Sequence, residues 1–337
     1  MNVNMSMRNY PPKQGIRVPA EEMRGLVVAL FEKVGMPPED AALMGEILTT
    51  NDLECVFTHG TKQTPGYIRE IQEGRVNPRP EIEVVSESPG ALVLDGDGGL
   101  GYFPCYRGME QAIEKAKTCG VAALTTRNHF HFGAARNYPR QALAHDCIGM
   151  AVSSHRSYPN ADSMIIAQTG NSPISVAIPA GQQPPLIMDM SCSIAPPFEE
   201  ALFEQMPVTF IKSMALAAVV RMLGGVFPGI FKEEFIPPRS RWTSNQGAFL
   251  LVVAASHFMP LEEFKQEMDR FIGEARGLQP LPGLERAELA GGMEWQWAKE
   301  NRRTGIPVSD EHRDALQKVA DELGVEAPFG RYEASRF

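Results

Sequence analysis

The chain has 337 residues, 43% of them hydrophobic and 22% charged, so it can bury a sizeable core. With 41 acidic against 32 basic side chains and no basic block, it argues against a nucleic-acid or anionic-membrane partner and for a small-molecule substrate. Five scattered cysteines, Cys55, Cys105, Cys119, Cys147 and Cys192, form no C-x-x-C pair, which argues against a disulfide framework or a zinc knuckle.

In chain order, residues 1–11 lack the apolar core of a signal peptide, and no stretch is expected to reach transmembrane length, so a cytoplasmic protein is expected. Residues 19–48 show helical spacing broken at Gly35-Met36-Pro37-Pro38, predicting two helices. Thr58-His59-Gly60 follows and leads into a helix-like stretch at 67–74, with a turn at Asn77-Pro78-Arg79-Pro80. Residues 82–85 and 91–94 read as strands. The hexapeptide from Gly96 to Gly101 matches G-x-G-x-x-G between a strand and a helical pattern at 109–117, the context of a dinucleotide loop. A glycine turn that launches a helix fits as well. The next strand, 121–126, ends in Arg127 without an acid to hold a ribose, which a phosphate-bearing NADP would tolerate. Beyond it the pattern predicts a helix at 134–145, strands at 148–153, 174–178 and 186–190, a helix at 214–223 preceded by Lys212, a strand at 247–255, and amphipathic helices at 261–275 and 310–323.

The stretch 127–135 contains two histidines two residues apart where the strand 121–126 gives out. If the extended geometry continues, His129 and His131 share one face and could supply two metal ligands, or one proton donor and one contact. A hydrogen-bonded core or turn histidine is the plainer alternative. Asp189 beside the hydroxyls of Ser191 and Ser193 offers donors and acceptors to a polar ligand. Cys192 sits between those serines, but no neighbouring base would activate its thiol.

Together, Thr58-His59-Gly60, Arg127-Asn128-x-x-His131-Phe132-Gly133, Gly170-x-x-Pro173, Asp189-Met190-Ser191-Cys192-Ser193 and Gly305-Ile306-Pro307 occur in the order of one family. The chain resembles the malate/L-lactate dehydrogenase-like NAD(P)-dependent oxidoreductases, relatives of ureidoglycolate dehydrogenase, 2,3-diketogulonate reductase and sulfolactate dehydrogenase, from about residue 18 to about 327. The resemblance implies an α/β fold without a Rossmann domain: a mixed, largely antiparallel sheet flanked by helices, with a helical domain built from both termini. The boundaries expected are a helical N-terminal arm at 18–80 that packs with C-terminal helices, a cofactor-binding body at 81–255 and a helical C-terminal part at 256–337. The Gly96 loop would then be scaffold. The resemblance places catalysis on His59 and His131, either of which would donate a proton to the carbonyl oxygen while hydride reaches its carbon. It gives substrate contacts to Thr58, Gln63, Tyr67, Asn128 and His129. It gives contacts to NAD or NADP to His155, Asp189, Met190, Ser191, Cys192, Ser193, Lys212, Gly291 and Gly292. It requires no metal, and members are typically homodimers with the site near the subunit interface.

Several positions depart from the family. Four residues after the motif histidine, where the family has an arginine suited to a substrate carboxylate, this chain has Gln63. Lys62 is adjacent, but a neighbour points elsewhere. Thr58 replaces a serine, His129-Phe130 a Ser-Asn pair, Gly170-Asn171-Ser172-Pro173 a Gly-Thr-Asn-Pro, and Lys212-Ser213 a Lys-Gly. His155 stands where a cofactor-side serine is usual. Between Ser193 and Pro207 a segment that covers the family's active site is much shorter, which implies a more open site. The expectation is therefore a carbonyl, hydroxy or imine oxidoreductase not acting on a standard 2-oxo acid. The alternatives are a scaffold repurposed as a non-redox enzyme or silent cofactor binder, and a metal-dependent lyase using His129, His131 and His155.

Overall fold

The computed structural model describes residues 10–170, 172–193 and 199–337. The N-terminal part runs through β1 (Ile16–Val18), α1 (Ala20–Lys33), α2 (Pro38–Leu53) and α3 (Thr64–Gln72). The middle carries β2 (Glu83–Ser88), β3 (Ala91–Asp95), α4 (Tyr102–Cys119), β4 (Val121–His129), α5 (Pro139–Leu143), β5 (Cys147–His155), β6 (Pro173–Ile178) and β7 (Leu186–Ser191). It continues with α6 (Glu200–Gln205), α7 (Pro207–Arg221), β8 (Gln246–Ala254) and α8 (Leu261–Arg276). The chain returns through α9 (Gly292–Thr304), β9 (Ile306–Val308) and α10 (Asp310–Leu323). Two compact units result, one from Met1–Arg79 with Arg276–Phe337, the other from Pro80–Ala275, so the α/β unit runs past residue 255 and takes in nearly all of α8.

In the helical unit, β1 pairs antiparallel with β9, Ile16 opposite Val308, which ties the two ends of the chain together. Proline opens α2 at its first turn, where its missing N–H costs no hydrogen bond. Ser309 caps α10 by accepting from the His312 amide, with Asp310 and Glu311 in the favourable first turn. The Asn301 amide of α9 donates to the Leu53 carbonyl at 2.9 Å, satisfying an orphan acceptor at the end of α2.

In the α/β unit seven strands lie in the order β2-β3-β4-β8-β5-β6-β7. Only β3 and β4 pair in parallel; the other neighbours are antiparallel. The alternation of side chains assigns two faces. Leu250 and Val252 of β8 and Leu124 of β4 pack with Met109 and Ile113 of α4, whereas Phe249 of β8 and Val152 of β5 pack with Ala217 and Val220 of α7. Each fully buried Leu or Ile is worth about 1.5–3 kcal/mol. The mixed, mostly antiparallel sheet between helices is the fold class the resemblance implied. Two local expectations change. The helix expected at 134–145 is a 3-10 turn, Ala135–Asn137, followed by the short α5, because Pro139 interrupts it. The helix expected from 214 begins at Pro207, so Lys212 lies within α7 and not ahead of it.

Candidate active site

The residues expected at a site fall in both units and are taken unit by unit. In the helical unit α2 ends in Asn51-Asp52, and the chain turns through Thr58-His59-Gly60 into α3. The His59 carbonyl accepts from the Asn51 amide at 2.9 Å, and the His59 Nδ1 lies 3.1 Å from the Thr58 hydroxyl. The Gln63 amide donates to the Thr58 carbonyl at 2.6 Å, so Gln63 holds the turn. Below it Asp52 accepts from the Thr61 amide at 3.2 Å and the Thr61 hydroxyl at 2.5 Å. His312 Nε2 lies 2.9 Å from that hydroxyl oxygen. Since the hydroxyl hydrogen goes to Asp52, His312 donates to it. A Cβ on Gly60 would fall 1.8 Å from Asp52 Oδ1, so only glycine fits the turn over this network.

Burial sets the charge states here. Desolvation pushes Asp52 up to about 7 against the pull of its Thr61 hydrogen bonds, and drives His312 down to about 3, helped by the Lys62 charge. Burial also lowers His59, which rests neutral at pH 7. Lys62 is spent on Glu311 at 2.9 Å, and Tyr67 is buried in α3. Within 58–67, then, no cation stands where the family's arginine would be. The Asn-Asp pair near the end of α2 and His312 were not singled out by spacing; the available signal was a polar Thr49-Thr50-Asn51-Asp52 run following the buried apolar Met44, Ile47 and Leu48.

In the α/β unit the two neighbouring histidines part company. Asn128 takes a positive φ of 52°, and the β4–β8 register shifts between Thr126 and His129, so the alternation that would have put His129 and His131 on one face is broken. His129 is 0% exposed; its Nδ1 lies 2.8 Å from the Phe130 carbonyl and its Nε2 2.9 Å from the Thr126 hydroxyl. A carbonyl only accepts, so the proton sits on Nδ1, and desolvation drives the ring down to about 4. His129 therefore has no nitrogen for a substrate or a metal and is a core residue, contrary to its expected role. Asn128 is likewise occupied, donating to Asp95 at 2.7 Å and accepting from Ser244 at 2.6 Å. It positions the strand end. Arg127 faces Asp95 at 3.4 Å and lies over the Phe235 ring, a pairing that leaves it no ribose phosphate. His131 is partly exposed, and its carbonyl accepts from the Gly101 amide.

The glycine hexapeptide turns out to be scaffold. Its amides at Gly96, Gly98, Gly99 and Gly101 all donate to backbone carbonyls, and a Cβ on Gly101 would meet the His129 ring at 2.5 Å. Metal chemistry fares no better: among the described residues no three His, Cys, Asp or Glu side chains are placed to hold an ion, and His129 is spent.

The cofactor-side residues do gather. The Ser213 hydroxyl donates to the Cys192 carbonyl at 3.1 Å, which brings α7, with the exposed Lys212, beside the end of β7. The Cys192 amide donates to the Ser172 carbonyl at 2.9 Å, and the Ser172 hydroxyl to Ser154 at 3.0 Å, which adds the end of β5 and His155. A Cβ on Gly170 would sit 3.9 Å from the His155 ring and 3.4 Å from the Arg221 guanidinium, a buried cation that donates to Ser157. Burial and the Arg221 charge keep His155 neutral. Asp189, Met190 and Ser191 lie half-buried on the edge strand, and the Ser191 hydroxyl accepts from the Ser193 amide at 3.1 Å. Cys192 is itself buried, its thiol pushed up to about 11, so it contributes backbone and no nucleophile. Gly291 and Gly292 belong to the other unit, as cap and first residue of α9. Asn171 of the Gly170–Pro173 motif lies outside the described residues.

The sequence profile of the malate/L-lactate dehydrogenase family matches residues 18–199 and 197–317. The chain belongs to that family. It is accordingly an NAD(P)-dependent oxidoreductase in type. It is 28% identical to a malate dehydrogenase of Pyrococcus horikoshii over 96% of this chain and 99% of that one. It is 29% identical to an L-sulfolactate dehydrogenase of Methanocaldococcus jannaschii over 90% of this chain and 96% of that protein. The solved structure of malate dehydrogenase from Pyrococcus horikoshii superposes with a TM-score of 0.82, covering 94% of this chain and 98% of that one. The two stretches of the family match overlap at residues 197–199, inside the segment expected to be short. Of that segment, 194–198 lie outside the described residues and 200–205 form α6.

Proposed function

We propose that the protein transfers hydride between NAD(P)(H) and a small carbonyl, hydroxy or imine substrate other than a standard 2-oxo acid, with His59 and His131 moving the proton. The observation that carries the substrate class is the state of the Thr58 turn. Gln63 is uncharged and its amide is spent on the Thr58 carbonyl at 2.6 Å, and Lys62 is spent on Glu311, so this segment offers no fork for a carboxylate.

The β5–β7–α7 cluster fits a dinucleotide: an exposed Lys212 ammonium for phosphate, the Ser191 and Ser193 hydroxyls and the half-buried Asp189 carboxylate for hydroxyl groups, and a neutral His155 beside the Gly170 backbone. The bound nicotinamide supplies or receives the hydride. His59, held neutral by burial and oriented by Thr58 and Asn51, takes the hydroxyl proton when the substrate is oxidised and returns it on reduction. His131 does the same work from the strand end. Asn128 and Gln63 position these two histidines' segments.

A second copy of the chain covers the outer face of α7. Val208, Ile211 and Val219, with Met222 and Val226 of the helical turn that continues α7, are exposed along one side, forming a seam that can pair with its own copy about a two-fold axis. The stretch Pro207–Val226 is also the one described helix long and apolar enough to cross a membrane, against the expectation that none would be. The buried Phe210, Ala217 and Val220 on its opposite face bind it to the sheet. Five free thiols, four of them buried, suit the reducing cytoplasm.

The test is a spectrophotometric screen of NADH and NADPH oxidation against 2-oxo acids, ketones and cyclic imines, followed by His59→Ala and His131→Ala on the best substrate. Each variant is expected to lose at least ~100-fold in turnover while still binding cofactor. Near-normal rates in both would remove the histidines from the mechanism.

A further inference from the structure

The helical unit also contains a cleft of about 650 Å³, and none of the residues lining it belongs to the Thr58–Tyr67 segment. Its lining carries four arginines, Arg17, Arg24, Arg302 and Arg303, against two carboxylates, Glu21 and Glu46. Those carboxylates both pair with Arg24, and Arg303 pairs with Glu300 at 2.8 Å. Among the described residues, neither Arg17 nor Arg302 pairs with a carboxylate. The described hydrogen bonds of the Arg17 side chain all go to neutral acceptors, Asn301 Oδ1, Thr304 Oγ1 and the Gly305 carbonyl, and together they fix its guanidinium. Arg302 is exposed and makes none of the described ion pairs or side-chain hydrogen bonds. With Glu300 included, four guanidinium groups meet three carboxylates, so a net positive charge stands at this concavity in a chain of net charge −9, a local reversal of field. Thr49, only 4% exposed, also lines the cleft, and its hydroxyl has no hydrogen-bond partner. A buried hydroxyl left unpaired is costly.

We infer that this cleft binds a small organic dianion, a phosphate monoester or a dicarboxylate, between the preset Arg17 fork and the free Arg302. The apolar Pro19, Ala20 and Leu53 beside them leave room for a short carbon skeleton, which a bare ion would not need. The site is independent of the redox chemistry proposed above, so its fate does not follow from that reading.

The experiment is calorimetric titration of the whole protein with inorganic phosphate, glycerol 3-phosphate and succinate, repeated on Arg302→Ala and Thr49→Val. Binding of one or more probes is expected, weakening as salt is raised, with a loss of at least ~10-fold in Arg302→Ala. Arg302 is exposed, so its removal leaves the fold intact, which an unchanged circular dichroism spectrum and unchanged NADH or NADPH titration would register. Preference for glycerol 3-phosphate or for succinate identifies which dianion the site is built for. No binding of any of the three, or binding that Arg302→Ala leaves unaltered, would overturn the inference.

Discussion

His129 gains its place in the core by staying neutral, and that has a consequence for stability. An unfolded histidine takes its proton near pH 6.5, whereas in the fold this ring does so only near 4, so protons favour the unfolded chain between those values. The stability it contributes is fully present above pH 6.5 and is lost as the pH falls, by ~1.4 kcal/mol for each pH unit. His312, driven down to about 3, adds a loss of the same sign. Asp52 acts in the opposite sense: its folded carboxyl ionises only near 7, so its contribution is present below an ordinary 3.8 and is lost as the pH rises through 7. His129→Asn should therefore lower the melting temperature at neutral pH yet flatten the decline between about pH 6.5 and 5. Thermal unfolding followed across that range checks this, and parallel slopes for variant and parent would contradict the neutral buried ring. The same residue marks where sequence reasoning stopped. The motif drew attention to the strand end, but strand periodicity could not foresee that Asn128 would turn left-handed and send His129 inward. Nor could spacing reveal that Asp52, Thr61 and His312, far apart in the chain, meet under the His59 turn.

Helices and strands were largely legible because each carries its own period. The β8 run of alternately buried residues and α10, with Ser309 at its cap and charged residues on its outer face, announce themselves from local chemistry. Long-range pairing does not. That β8, late in the chain, inserts between β4 and β5 follows from the packing of two helical layers and not from any local signal. The α7 helix was read short because its proline start at Pro207 follows the shortened segment, and its outer face is as apolar as its inner one. The proposed dimer would bury that outer face. Replacing Val219 and Met222 together by glutamate should convert the protein from dimer to monomer, since like charges would then face each other across the two-fold axis. Light scattering coupled to gel filtration measures this directly. A parent protein of monomer mass would refute the interface, as would a double variant that stays dimeric.

At the scale of the whole molecule, the family match spans both units, and the family's antiparallel sheet explains why a glycine hexapeptide with the right neighbours is not a dinucleotide loop. Its amides at Gly96, Gly98, Gly99 and Gly101 are all taken by backbone carbonyls, so the proposal looks for phosphate contacts elsewhere, at Lys212 and the serines of the β7 end. Composition and charge had pointed to a small-molecule enzyme; they carried no information on which surface meets the cofactor. Gln63, uncharged and bonded to the Thr58 carbonyl, is where the proposed substrate class parts from the malate and sulfolactate for which two relatives are named. The claim on which the proposed function depends is that the protein binds a nicotinamide dinucleotide. Calorimetric titration of the purified protein with NADH and with NADPH tests it most directly. Micromolar binding of at least one, weakened when Lys212 is replaced by alanine, is the result predicted. Failure of both to bind would contradict hydride transfer by this chain.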